Sequence, residues 1–212
     1  MRIGRSRRPT SRNTGAPLRV GLLRHGEVEG GNRFRGHTDD PLTAAGLAQM
    51  HAAVTDSGDW DRVISSPSAR CAAFAEEYAR RYSTPLSFDA RLMEIHFGDW
   101  EDRTAAELMT TDTDALIRFW NDPLHNTPPG GEPLAQFQAR VLDSWNDIFT
   151  KYPAQRVLIV THSGVIRVLL CQITGVSVAQ LQEFSVGHGQ LHGVRIGRDG
   201  SVRLDGVTYV IK

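Results

Sequence analysis

Cysteine is nearly absent from this chain of 212 residues. Only Cys71 and Cys171 occur, with no CxxC pair and no zinc-ligand spacing, so no disulfide framework is expected and a reducing cytoplasm is the expected compartment. Long apolar runs are missing too: none approaches the roughly 18 residues of a membrane span, and no membrane association is expected. Net charge is also lacking, since 24 Lys and Arg meet 24 Asp and Glu. The balance is uneven along the chain. Arg2, Arg5, Arg7, Arg8, Arg12 and Arg19 precede any acid, which leaves 18 basic against 24 acidic residues in the remainder. A mildly acidic body argues against nucleic-acid binding, although a local cationic pocket can exist within it. The basic segment lacks an amphipathic apolar face, and residues 1–17 are read as a disordered extension ahead of one domain spanning 18–212.

What is present is a repeated grammar of strand, polar loop and helix. Leu18 to Leu23 reads as a strand that stops at Arg24-His25-Gly26. A Gly- and Arg-rich loop from Gly30 to Pro41 follows, and Thr43 is positioned to cap a helix through Leu47, Met50 and Val54, ending near Ser57-Gly58. Val63-Ile64 leads into Ser65-Ser66, and Pro67 is expected at the first position of a second helix reaching about Tyr82. After an irregular stretch from 86 to 102 come helical patterns at about 103–110 and 113–121, broken by Pro123 and Pro128-Pro129-Gly130-Gly131. This middle region is a candidate lid. A long amphipathic helix from about Leu134 to Tyr152 precedes Val157-Leu158-Ile159-Val160, an apolar β-branched run suited to a central parallel strand. Thr161-His162-Ser163-Gly164 opens the next helix. Two final runs, Gly193 to Ile196 and Val202 to Val210, flank Asp199-Gly200 as a hairpin. The expected fold class is α/β: a three-layer α/β/α sandwich around an open, mostly parallel sheet.

In such a sheet the carboxyl ends of the strands share one edge. Arg24 and His25, Ser65-Ser66 leading to Arg70, and His162 would therefore converge on one crevice. Two guanidiniums with an imidazole form a site for a phosphoryl group, aided by helix amino termini. Each residue alone has a bland reading as a strand-end cap or surface cation, but three strand ends mimicking one anion site by accident is improbable. Gly26 would let the backbone turn close to whatever His25 touches.

Leu23-Arg24-His25-Gly26-Glu27, Asp39-Asp40-Pro41-Leu42-Thr43 and Ser65-Ser66-Pro67-Ser68-Ala69-Arg70 carry a resemblance. So do Glu94 with Phe97-Gly98-Asp99-Trp100-Glu101, Pro129-Gly130-Gly131-Glu132 and Thr161-His162-Ser163-Gly164. Together they resemble the histidine phosphatase superfamily, which includes phosphoglycerate mutases, fructose bisphosphatases and α-ribazole phosphatases, over residues 18 to the end. The resemblance implies a phosphoglycerate mutase-like fold with neither metal nor cofactor. It implies that His25 is a nucleophile forming a phosphohistidine, that Arg24, Arg70 and His162 hold phosphate oxygens, and that Glu94 protonates the leaving alkoxide. Phosphoryl transfer asks for the same cast, because it needs positioning, spread positive charge and a proton for a poor leaving group. For Glu94 an apolar setting beside Ile95, Phe97 and Trp100 would favour the protonated acid.

Departures bear on substrate. Gly31 stands where relatives often have asparagine, so Asn32 is a displaced candidate contact. Arg35 replaces a frequent threonine before Gly36, and Arg33 or Arg35 is expected to read a second anionic or polar part of the substrate. Asp102 replaces the glycine that usually follows Trp-Glu. Ser65 and Gly36 complete the candidate phosphate or substrate contacts, and His96 stands close enough to Glu94 to brush the pocket. The expected activity is hydrolysis of a small phosphorylated metabolite, the opening motif resembling the α-ribazole phosphatase branch. A mutase-type phosphoryl transferase, a non-catalytic phospho-ligand module and a phosphatase of phosphorylated proteins are the competing readings. Whether the chain is a monomer or a homodimer stays open.

Overall fold

The computed structural model describes residues 17–197, 199 and 201–205. The basic extension, Gly200 and the final run beyond Asp205 lie outside these residues. Six strands form one sheet in the order β3-β2-β4-β1-β5-β6. They are β1 (Leu18–Arg24), β2 (Arg62–Ser65), β3 (Leu86–Phe88), β4 (Arg156–Thr161), β5 (Leu191–Ile196) and β6 (Val202–Asp205). The first four run parallel, and β5 and β6 join as an antiparallel edge. The expected hairpin is therefore seen as far as Asp205.

Alternation along β4 explains the three layers. Val157 and Ile159 pack with Leu18, Val20 and Leu22 against helices α5 (Leu134–Lys151) and α6 (Ser163–Thr174). Leu158 and Val160 point the other way, with Leu23 and Val63, against α1 (Ala44–Thr55) and α2 (Ala69–Tyr82). Successive strand residues face opposite sides, so a strand covered on both faces must be apolar throughout. Between α2 and α5 the chain makes two short helices, α3 (Ala105–Thr111) and α4 (Thr113–Asn121). These build a small separate core from Trp100, Leu108, Leu116 and Phe119, with Phe34 and Phe97 packed against it.

The strand ends are level. Arg24 pairs with Thr161 and Ser65 with Val160, and the ladder continues one residue further through His25 N–H to the Thr161 carbonyl and Ser66 N–H to the Val160 carbonyl, both 2.9 Å. Two helix ends depart from expectation. Helix α1 stops at Thr55, with Gly58 three residues beyond in the left-handed region at φ 79°. Helix α2 starts at Ala69 rather than Pro67. Its free Ala69 N–H donates to Asp39 Oδ1 at 2.7 Å, so a distant loop supplies the cap that local sequence does not.

Candidate active site

His25 follows β1 directly and is buried. Its Nδ1 lies 2.8 Å from the Gly26 carbonyl, which can only accept, so Nδ1 carries the proton and Nε2 the lone pair. Burial, then the Arg70 charge, holds this imidazole well below its usual pKa and therefore neutral at pH 7. Gly26 is required by packing. A Cβ there would lie 2.0 Å from the Gly46 carbonyl, so the missing side chain lets β1's exit pack on α1.

Arg24 is pinned from the loop before β5, donating from Nη1 to the Val186 carbonyl at 2.6 Å and from Nη2 to His188 Nε2 at 2.8 Å. Burial lowers its pKa to about 10, which leaves it charged. His162 and Arg70 are fully buried behind His25, the two imidazole rings meeting edge to face with centroids 5.3 Å apart. Nε2 of His162 is 2.9 Å from Ser66 Oγ. Burial and Arg70 again push the His162 pKa far down. Arg70 donates from Nη1 to the Thr38 carbonyl and from Nη2 to the Gly36 carbonyl, each at 2.8 Å. Ser65 is also fully buried, and its hydroxyl donates to the Ser66 carbonyl at 2.8 Å. Of the two serines it is Ser66 that reaches the histidine.

Glu94 enters from the segment before α3. Its carboxylate accepts from Gly164 N–H at 2.9 Å, Ser163 Oγ at 3.3 Å and its neighbour Ile95 N–H at 3.1 Å. Of the expected apolar neighbours, Ile95 is buried and Phe97 lines the same cavity, while Trp100 turns into the small core above and donors at the start of α6 meet the carboxylate. A Cβ at Gly164 would stand 2.2 Å from Glu94 Oε1, so any side chain there would displace the carboxylate. The backbone around Glu94 is clamped by Arg140, which pairs with Glu132 at 2.7 Å and donates to the carbonyls of Arg91, Met93 and Glu94.

The loop from Gly30 to Pro41 covers this floor. Arg35 is tied within it, to the Asp40 carboxylate and the Gly31 and Glu29 carbonyls. Arg33 is tied to the Gly30 and Asp102 carbonyls. Asn32 is exposed at the rim. Gly36 lies beneath, where a Cβ would stand 2.1 Å from the Ile95 carbonyl. A cavity of about 330 Å³ remains, lined by Arg24, His25, Asn32, Arg35, Glu94 and Arg167 among others. Arg70, His162, Ser65 and Gly36 are outside its wall. His96 pairs with His37, ring centroids 4.6 Å apart, and does not line it. Among the described residues no group of three or more His, Cys, Asp or Glu is gathered to hold a metal ion.

The sequence profile described as the histidine phosphatase superfamily, branch 1, matches residues 20–206. The chain belongs to the histidine phosphatase superfamily. It is 30% identical to the adenosylcobalamin/alpha-ribazole phosphatase of Escherichia coli over 81% of this chain and 87% of the relative. It is 29% identical to a glucosyl-3-phosphoglycerate phosphatase of Mycolicibacterium vanbaalenii over 89% and 87%. The alpha-ribazole phosphatase structure from Shigella flexneri superposes with a TM-score of 0.79 at 29% identity, covering 92% of this chain and 98% of that one. The protein is a phosphatase with the phosphoglycerate mutase-like fold.

Several residues around this histidine phosphatase site escaped the sequence reading. Glu101 accepts from the N–H groups of Gly36, His37, Thr38 and Phe97 and from the Thr38 hydroxyl, at 2.6 to 3.1 Å. That carboxylate organises the loop whose carbonyls hold Arg70, and these hydrogen bonds draw its pKa below the usual value against the effect of burial. His188 and Arg167 line the cavity from loop and helix. A signal for Arg167 existed, since it interrupts the apolar run of α6 four residues after Ser163, on the same helical face. None existed for His188.

Proposed function

We propose that the protein hydrolyses a small phosphomonoester through a covalent phosphohistidine on Nε2 of His25. The observation that carries this is the neutral His25 with Nδ1 committed to the Gly26 carbonyl, a lone pair at Nε2 and Glu94 on the same cavity. An imidazole in that state is an activated nucleophile. The Nε2 lone pair forms a bond to phosphorus as the ester P–O bond breaks, and the leaving oxygen takes the proton of the Glu94 carboxyl. Water then attacks phosphorus and gives a proton to Glu94, and the P–N pair returns to Nε2, releasing inorganic phosphate. Arg24 meets the phosphoryl oxygens from the cavity wall. Arg70 Nε and His162 Nδ1 do not line the cavity; they are buried polar atoms behind His25 without a hydrogen-bond partner among the described residues, and we assign them to the same oxygens in the substrate-bound enzyme. For His162 Nδ1 to donate, Ser66 must give its hydroxyl proton to Nε2.

Two substrates follow from the relatives: α-ribazole 5'-phosphate and glucosyl-3-phosphoglycerate. A reducing cytoplasm fits the scarcity of cysteine, and no helix among the described residues is long and apolar enough to cross a membrane. The test is phosphate release from both compounds and from p-nitrophenyl phosphate in EDTA, with His25→Ala in parallel. Turnover that is metal-free and lost in the variant by about 10⁴-fold or more supports the mechanism. Turnover that survives the substitution would falsify it, and isomerised 3-phosphoglycerate without phosphate release would indicate a mutase.

A further inference from the structure

Arg24 serves a phosphoryl group only if its guanidinium is held at a fixed angle beside His25, and a cavity residue outside the proposed chemistry bears on that angle. Nη2 of Arg24 donates to Nε2 of His188 at 2.8 Å. A guanidinium has no lone pair, so this ring nitrogen must accept and the His188 proton sits on Nδ1. Burial, then the Arg24 charge, holds the His188 pKa to about 4, and the ring is a neutral acceptor at pH 7.

Backbone on both sides sets His188 in place. Gly189 N–H donates to the His25 carbonyl and Arg24 N–H to the Gln190 carbonyl, each at 3.1 Å. Gly187 N–H reaches Gln190 Oε1 at 2.7 Å. The loop thus closes around the end of β1, and the His188 ring lies 5.5 Å from that of His25, centroid to centroid. Arg24 has two tethers to this loop, the Val186 carbonyl on Nη1 and His188 on Nη2. A single hydrogen bond would let the guanidinium swivel about it, whereas acceptors on both terminal nitrogens fix its plane. The Nε–H, buried without a hydrogen-bond partner among the described residues, and one N–H on each terminal nitrogen are then left for oxygens of a ligand.

We propose that His188 is a positioning residue for phosphoryl transfer, acting through Arg24 by accepting from Nη2 and so aiming the remaining N–H groups at the phosphoryl oxygens. The inference rests on the phosphohistidine reading, with Arg24 on those oxygens. Donors fixed before the reaction need no reorganisation as charge moves onto the phosphoryl group, which is where such a tether contributes.

The test measures kcat and KM for p-nitrophenyl phosphate and the inhibition constant of inorganic phosphate. The proteins are the wild type, His188→Ala, His188→Gln, His188→Leu, Arg24→Ala and the Arg24→Ala/His188→Ala double variant, with His25→Ala as control. His188→Ala is expected to lower kcat/KM and weaken phosphate binding by about 10-fold or more, the size of one hydrogen bond to a charged group. His188→Gln, whose amide oxygen can stand near the place of Nε2, should recover that loss to within about threefold, and His188→Leu should not. In the Arg24→Ala background the alanine at 188 should change kcat/KM by less than about twofold, because the residue it acts through is gone. A merely structural role would persist in that background and would not distinguish glutamine from leucine. Equal activity of the glutamine and leucine variants, a His188→Ala enzyme within about twofold of the wild type, or a full loss retained without Arg24 each overturns the proposal. Should the alanine variant fail to fold, the comparison of glutamine with leucine decides. Turnover lost in His25→Ala and Arg24→Ala, with glutamine and leucine equal at 188, removes this inference alone. Turnover that survives His25→Ala, or phosphate affinity unchanged in Arg24→Ala, removes the underlying reading and this inference with it.

Discussion

The strand-end floor and the helical cap over residues 97–131 are built in opposite ways. On the floor, His25, Arg70, Glu94 and His162 are buried polar groups, held by backbone carbonyls, N–H groups and a serine. In the cap, four buried apolar residues form a core of their own, and Met109, Ile117 and Trp120 remain 41–42% exposed. Charged and polar groups out of water tolerate little displacement, because each lost partner costs the full desolvation of what it leaves behind. Apolar contacts are non-directional and forgive small shifts. The difference teaches that chemistry is anchored where backbone from several strands converges, while the cap can vary without moving the reacting groups. Glu101 is the exception that joins them, since a cap carboxylate holds the loop that holds Arg70.

The sharpest way to break the comparison is at the floor. Gly164→Ala drives a methyl into Glu94 and should lower kcat for alkyl phosphates by about 10²-fold or more, the usual worth of a positioned acid. p-Nitrophenyl phosphate, whose nitrophenolate departs without a proton, should be spared. Equal loss on both substrates would show that the glycine matters to folding instead of to the acid.

Glu101→Ala tests the joint between the regions. Removing an acceptor shared by five donors should cost about 3 kcal/mol of stability and raise the inhibition constant for inorganic phosphate by about tenfold, through Arg70. A lower melting temperature with unchanged phosphate affinity would confine Glu101 to the cap.

Acid should act on the floor before the cap. His25 and His162 are held well below 6.5, and His188 and His192 to about 4, chiefly by burial. Between pH 6.5 and 4 the unfolded chain therefore takes up protons that the folded chain refuses, and stability falls as pH falls. The melting temperature should drop by at least about 5 °C across that window. The acid limb of kcat/KM that reports His25 protonation should lie below 6.5. A limb at or above 6.5 would show that His25 is not shielded in this way.

The smallest effect belongs to the cap. Asp102 occupies the left-handed region at φ 59°, where a side chain costs about 1 kcal/mol, and its carboxylate contact with Arg33 at 3.6 Å is largely exposed. Asp102→Gly should raise stability by about 0.5 kcal/mol and leave turnover of p-nitrophenyl phosphate unchanged. A loss of stability would assign the carboxylate a larger role than its exposure suggests.

Strand alternation, the apolar β4 run and the polar punctuation after β1, β2 and β4 were readable in the sequence, because periodicity and strand-end chemistry are local. So was the convergence of Arg24, His25, Arg70 and His162, since parallel strands must end on one edge, whereas Glu94 was joined to them only through the family resemblance. Which serine meets His162 was not, because Ser65 and Ser66 point to opposite sides and only packing fixes which one does. Nor were the ties that hold Arg35 to its own loop and Arg33 to the cap, the Asp39 cap on α2, or the convergence of Glu101 on residues more than 60 positions away. Sequence by itself determined the fold class, through patterns that repeat within a few residues, and nominated the candidate site groups, through motifs set in order along the chain. Tertiary structure alone decided which polar atoms were left over for a ligand, because hydrogen-bond partners far apart in the chain are chosen only when the chain has closed.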